Sequence, residues 1–459
     1  MKLREYIETI RDKKAAVIGV GVSNTPLIKY LAENGIKVTA RDKAERNALG
    51  NTAGELEALG VELVLGDSYL DDLTEDIIFR TPGLRPDVPE IAAAVENGSE
   101  LTSEMELFFK VCPCRIIGVT GSDGKTTTTT VISELLKAEG YTVHIGGNIG
   151  RPLLCEADGM SESDFAVLEL SSFQLMTMKS SPDIAVITNL APNHLDVHRD
   201  MREYTEAKMN IFKYQTKDSL LVLNADNDIT ASFAPMAKGK VSTFSRKTSV
   251  QNGAYCKDGR IYTVRDGKVE EIMDASDILI PGDHNIENYL AAFSAVRDLV
   301  SSETMKKVAV TFSGVEHRIE LVRELHGVKY YNDSIASSPS RTTAGLRSFK
   351  QKVILIAGGK DKGVPFDTLG GEIIDHVKIL VVTGFTMQKI KDAVMNNPRY
   401  NGSPRIIERE DFKEAVEAAH DVAESGDIVI LSPACTSFDR FKNFMERGEY
   451  FKEIVKGLK

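Results

Sequence analysis

The chain has 459 residues, 42% hydrophobic and 27% charged, a composition typical of globular proteins and enough for about three domains. Its net charge of −11 argues against unspecific binding to nucleic acid, although a local basic pocket for a phosphorylated ligand remains compatible with it. No apolar run approaches the roughly 18 residues that span a bilayer. The opening "MKLREYIETIRDKK" is charged throughout and lacks a signal-peptide core, so no membrane association and a cytoplasmic location are expected.

Taken in order, strand-like and helix-like segments alternate in three regions. This predicts an α/β protein of three domains, each a mainly parallel sheet with flanking helices. The first region, 1–103, reads as Rossmann-like. "AAVIGV" (15–20) is an apolar strand, "SNTPLIKYLAENG" a helix, "IKVTARD" a second strand, and "IIFRTPGL" (77–84) ends a further strand on a Pro-Gly turn. The second region, 104–313, contains "RIIGVT", "FAVLELS" (165–171), "IAVITNLA" (184–191) and "SLLVLNAD" (219–226) and is expected to be a P-loop-like ATPase domain. The third, 314–459, contains "KVILIAGG" (352–359), "ILVVTG" (379–384) and "DIVILSPA" (427–434), and reads as a second Rossmann-like domain. Cys112, Cys114, Cys155, Cys256 and Cys435 match neither a zinc ribbon nor a redox pair, so reduced buried thiols are expected.

The strongest chemical signal is "GVTGSDGKTTTTT" (118–130), a glycine-rich joint between a strand and a helix. The common P-loop has a glycine five residues before its Gly-Lys-Thr, whereas Val119 stands there in this chain. Gly118, Gly121 and Gly124 still let the backbone bring N–H groups toward phosphate, and the helix dipole points to the same place. Lys125 can then neutralise phosphate and the Thr126 hydroxyl can ligate Mg²⁺. Only one or two of the threonines can reach a nucleotide, so packing or surface roles are expected for the others.

Later strand ends add further groups. Glu169 ends "FAVLE", where a carboxylate suits Mg²⁺ but could also cap a helix. His194 and Asp196 follow another strand in "TNLAPNHLDVH", His194 as a metal or substrate ligand or as an incidental loop histidine. Lys208 lies in an amphipathic helix and on its own reads as a solvated lysine. Asn285 and Asn288 share a helix face and could read an adenine edge or act as plain polar residues. "GVGVSN" (19–24) has Asn24 where the dinucleotide fingerprint needs its third glycine. Asp42 sits near that pattern's ribose position, so a NAD-binding module stays a weak rival.

Together these strings resemble the Mur ligases, along nearly the whole chain. "GVTGSDGKT" meets the family's loop form Gly-x-Thr-Gly-x-x-Gly-Lys-Thr, shared with folylpolyglutamate synthetases. "ELSSFQL", "GGNIG", "EHRIE", "YNDSIASSP" and "LSPACTSFDRF" point to the D-glutamate-adding branch. The resemblance implies an ATP-dependent amide ligase, monomeric in the family pattern, acting on UDP-N-acetylmuramoyl-L-alanine and D-glutamate through an acyl phosphate. The alternative is another amide ligase of the superfamily, such as a folylpolyglutamate synthetase. It implies that Gly121, Gly124, Lys125, Thr126 and Thr127 hold ATP, with Asn285, Asn288, Arg318 and Asp333 as further ATP contacts. Thr126, Glu169, His194 and Lys208 would stand at two Mg²⁺ ions, Lys208 as a carbamate, and Lys125, Glu169, His194 and Lys208 would be catalytic. Val22, Ser23, Thr81, Gly83 and Asn148 fall where the UDP-sugar is gripped. Ser337, Lys362, Ser437 and Phe444 fall where D-glutamate binds. Ile335 departs from family members that carry lysine at that position.

Overall fold

The computed structural model describes residues 1–192 and 197–459. Its strands form three sheets. The first has five parallel strands in the order Glu62–Leu65, Lys37–Asp42, Lys14–Ile18, Ile77–Phe79, Glu100–Thr102. The second has nine. From one edge these are Val143–Gly147, Phe165–Glu169, Arg115–Thr120, Ile184–Ile187, Leu220–Asn224, Lys240–Ser245, Gly253–Lys257, Arg260–Arg265 and Lys268–Asp274. It is parallel until its last two pairings, which are antiparallel. The third has six strands: Glu320–Leu325, Val328–Asn332, Ile428–Leu431, Val353–Gly358, Val377–Thr383 and Arg405–Glu408. Only its first pairing is antiparallel.

The apolar runs become strands because helices cover both faces of each sheet. In Val353–Gly358, Val353, Leu355 and Ala357 join a core with Leu369 and Ile390, while Ile354 and Ile356 join another with Phe412 and Phe451. In Lys14–Ile18, Ala15 and Val17 face one core and Ala16 and Ile18 the other. The period of two thus places the apolar residues on both faces of these strands in apolar surroundings.

Packing divides the chain into two compact units. One comprises Met1–Ala275 and Glu287–Val308 and contains the first two sheets; the other comprises Ser276–Ile286 and Ala309–Lys459 and contains the third. In the first unit a single core cluster runs from Leu3 and Phe79 to Phe108, Ile187 and Phe233. Among the described residues no helix is long and apolar enough to cross a membrane.

Candidate functional site

In the first unit the strand Arg115–Thr120 runs into a tight loop and then the helix Lys125–Glu139. Gly121 (φ +148) and Gly124 (φ +78) have left-handed backbone conformations, and a Cβ at either would strike Thr188 or Asn288. The loop is therefore closed to side chains, and the helix presents its first N–H groups beside it. Ser122 N–H donates to Asn189 O at 2.9 Å, and Asp123 N–H to Asn189 Oδ1 at 3.0 Å, which fixes the loop's course. Lys125 Nζ folds back to donate to Gly121 O and Ser122 O, both at 2.9 Å.

Three neighbouring strands bring their carboxyl ends to this loop. Glu169 pairs in register with Val119 on one side and Gly147 on the other. Its carboxylate is buried, accepting from Thr126 Oγ1 at 2.7 Å and Asn148 Nδ2 at 2.9 Å. Asn148 thus lies against Glu169 in this structure, whatever its part in gripping a sugar. Thr127, Thr128 and Thr129 are buried, and Thr130 donates to Thr126 O at 2.9 Å, so the threonine run is largely packing. Thr128 Oγ1 donates to Asn288 Oδ1 at 3.3 Å, directly beneath Gly124. His194 and Asp196 lie outside the described residues.

Lys208 differs most from a surface reading. It sits in the helix Met201–Lys213, capped by the Asp200 carboxylate, and is 1% exposed. Its Nζ donates to Thr120 Oγ1 at 3.0 Å and Gly121 O at 2.9 Å, and lies 4.9 Å from the Tyr204 ring centre. Burial, and then the nearby Lys125 cation, hold its pKa well below the ordinary lysine value. The amphipathic pattern located the helix, but only the fold shows that its apolar face presses this amine against the loop.

At the first sheet, adjacent parallel strands Lys14–Ile18 and Ile77–Phe79 open the segments bearing Val22, Ser23, Thr81 and Gly83 at one edge. A Cβ on Gly19 (φ +94) would press on Thr81, so these segments touch. Val22 and Ser23 are exposed. Asp42 is engaged locally: its carboxylate accepts from Val20 N at 2.6 Å and Ala44 N at 2.7 Å, which weakens the case for ribose binding. Arg80, which no sequence pattern marks, is almost fully buried. Its guanidinium donates to Thr81 O and Pro82 O, and across to Phe173 O at 3.0 Å, tying this segment to the short helix Ser172–Leu175 that follows the strand Phe165–Glu169.

In the second unit, Val328–Asn332, Ile428–Leu431 and Val353–Gly358 are parallel neighbours whose following loops share an edge. Lys362 Nζ donates to Ser337 Oγ at 3.2 Å, so two of the sequence-selected residues meet. Ser437 is buried in the loop after Ile428–Leu431, and Phe444 starts the helix Phe444–Gly457 with its ring edge-on to His317. Burial pushes the Asp333 carboxyl up to about 7 despite a hydroxyl donated by Ser432 at 2.8 Å. Arg318 lies two residues before the strand Glu320–Leu325, and Asn285 donates to Pro281 O at 2.6 Å. Arg447, unmarked in the sequence, is buried beneath these loops and donates to Ser334 Oγ, Ser334 O and Cys435 O.

Three family models match successive parts of the chain: the N-terminal domain of the MurD-like Mur ligases over residues 13–103, the Mur ligase middle domain over 119–296, and the Mur ligase glutamate ligase domain over 317–435. A UDP-N-acetylmuramoylalanine--D-glutamate ligase of Acetivibrio thermocellus is 55% identical over 462 aligned positions, covering 100% of this chain and 99% of its own. The protein of the same name from Ruminiclostridium cellulolyticum is 52% identical with the same coverage. A MurF ligase from Thermotoga maritima, solved in complex with ADP, superposes with a TM-score of 0.55 at 18% identity, covering 97% of this chain and 96% of its own, a likeness of fold.

Proposed function

The chain belongs to the Mur ligase family, and from that membership we propose that its strand-end loops join D-glutamate to UDP-N-acetylmuramoyl-L-alanine. It is an ATP-dependent ligase of peptidoglycan-precursor synthesis. The observation that carries this reading is the full-length identity to D-glutamate ligases. A carboxylate and an amine do not condense usefully in water. Transfer of the ATP γ-phosphate to the alanyl carboxylate gives an acyl phosphate, the D-glutamate amine attacks its carbonyl, and phosphate leaves with ADP already formed. The first step brings two anionic groups together, so it depends on positioning and charge neutralisation.

The proposed division of labour follows the three regions: 1–103 for the UDP-sugar, 104–313 for ATP and 314–459 for D-glutamate. The side-chain-free loop and helix start at Gly121–Lys125 suit a triphosphate, and Lys125 can exchange its loop carbonyls for phosphate oxygens. The Thr126 hydroxyl beside the buried Glu169 carboxylate is a pair of hard oxygen donors, which fits Mg²⁺. Mg²⁺ bound there would offset phosphate charge. The depressed basicity of Lys208 supports the carbamate reading, because a neutral amine is the form that adds carbon dioxide, and the product would be an anion next to the donor pair. Val22, Ser23, Thr81 and Gly83 would meet the UDP-sugar, and Ser337, Lys362, Ser437 and Phe444 the amino acid.

Phosphate release from ATP tests the reading. It should require both UDP-N-acetylmuramoyl-L-alanine and D-glutamate. Release driven by a folate and glutamate would favour the folylpolyglutamate synthetase alternative, and release with neither substrate would overturn the ligase assignment.

A further inference from the structure

The opposite edge of the nine-stranded sheet, where the parallel strands begin, holds a second cluster of reactive groups. Cys114 precedes Arg115–Thr120, Asp164 precedes Phe165–Glu169, and His144 is the second residue of the edge strand Val143–Gly147. The strand after Asp164 lies between the other two. Phe165 is in register with both Arg115 and Val143, so Cys114 and Asp164 stand side by side, and His144 lies opposite Ala166, two positions on from Asp164 and hence on the same face. One ligand atom from each of Cys114, His144 and Asp164 lies within 4.8 Å of the others. His144 Nε2 and Asp164 Oδ2 are 3.0 Å apart, and Ser161 N–H donates to the same oxygen at 3.1 Å. Cys112, on the other side of Pro113, lies near enough for the two thiols to perturb one another.

We propose that Cys114, His144 and Asp164 form a zinc-binding site, with Cys112 beside its fourth position. A thiolate, an imidazole and a carboxylate form a mixed set of donors that suits Zn²⁺, whereas Mg²⁺ takes oxygen ligands. The three donors come from three strand starts, which is why their spacing along the chain matches no zinc motif. The phosphate loop is a strand's length away, about 16–20 Å at the usual rise per residue, so the ion takes no part in the ligase reaction. Its effect is to pin together three strands whose far ends lead to Lys125, Glu169 and Asn148.

The competing arrangement is a His144–Asp164 ion pair packed against inert thiols. Chelator-treated full-length protein is titrated with Co²⁺ in excess Mg²⁺, which occupies oxygen sites, and followed by absorption. One equivalent should produce a thiolate-to-metal charge-transfer band and tetrahedral visible bands, both bleached by one equivalent of Zn²⁺. Cys114→Ser should abolish the charge-transfer band, and Cys256→Ser should leave it. If Cys114→Ser does not fold, His144→Gln on the edge strand decides, with affinity expected to fall at least tenfold. Binding without a charge-transfer band, a band unchanged in Cys114→Ser, or an affinity unchanged in His144→Gln, would overturn the proposal.

Discussion

Lys208 Nζ rests on a hydroxyl and a carbonyl, two neutral acceptors, inside a site almost closed to water. A buried cation with that support destabilises the fold unless it loses its proton. Because its folded pKa lies below its unfolded value, stability is lost as pH falls through the folded value. Lys208→Met should therefore fold at least as stably as the parent in chemical denaturation, with the difference growing toward low pH, yet lose turnover. In the parent, removing carbon dioxide and bicarbonate should lower turnover and restoring them should recover it. Full turnover in Lys208→Met would end the proposed role.

Lys362 belongs to the same scale. It is exposed and, among the described residues, its amine donates to the Ser337 hydroxyl alone, so its charge is available to a carboxylate. A charge-assisted hydrogen bond contributes roughly 1.5–3 kcal/mol, or about 10- to 150-fold. Steady-state kinetics of Lys362→Ala should show a KM for D-glutamate raised by that factor and a KM for ATP nearly unchanged. Equal weakening of both would move the lysine to nucleotide binding. Ile335→Lys in that background should restore part of the affinity.

At the scale of elements, Glu104 opens the helix Glu104–Val111 one residue after the Ser103 cap, with its side chain buried. Burial pushes its carboxyl up to about 7 from an ordinary 4.5. A raised acid favours the folded state below the unfolded value, and that contribution disappears as pH rises through the folded one. Glu104→Gln should thus be more stable than the parent above pH 7, by about 1–3 kcal/mol, and the gap should close between about pH 7 and 4.5. Denaturation midpoints that run parallel for the two proteins across this range would refute it. Elements were legible in the sequence wherever burial on both faces left a continuous apolar run, as in Val353–Gly358. The antiparallel strands Arg260–Arg265 and Lys268–Asp274 went unread because the first is short and ends in exposed arginines and the second is mostly exposed and charged. The phosphate loop was legible because backbone geometry demands glycine there. Lys208, Arg80 and Arg447 were not, because a buried cation resembles a solvated one until the fold shows what covers it.

For the whole molecule, two compact units with separate cores imply two steps of unfolding. The first two sheets share one continuous apolar cluster, so they should melt together although the sequence reads them as separate domains. The third sheet has its own clusters on both faces and should melt independently of them. Calorimetry of the full chain should then resolve two transitions, and ligands should act on them selectively. A ligand held only by the native state stabilises its unit by about 2.7 kcal/mol at a hundred times its dissociation constant. UDP-N-acetylmuramoyl-L-alanine, proposed to contact Val22, Ser23, Thr81 and Gly83, should raise the transition of the first unit and leave the other in place. Substituting Arg80 by Met should lower that same transition, because it unties the segment after Ile77–Phe79 from Phe173 and leaves the third sheet untouched. Three ligand-independent transitions, or a shift confined to the unit of the third sheet, would show that the sugar does not bind where the first sheet opens.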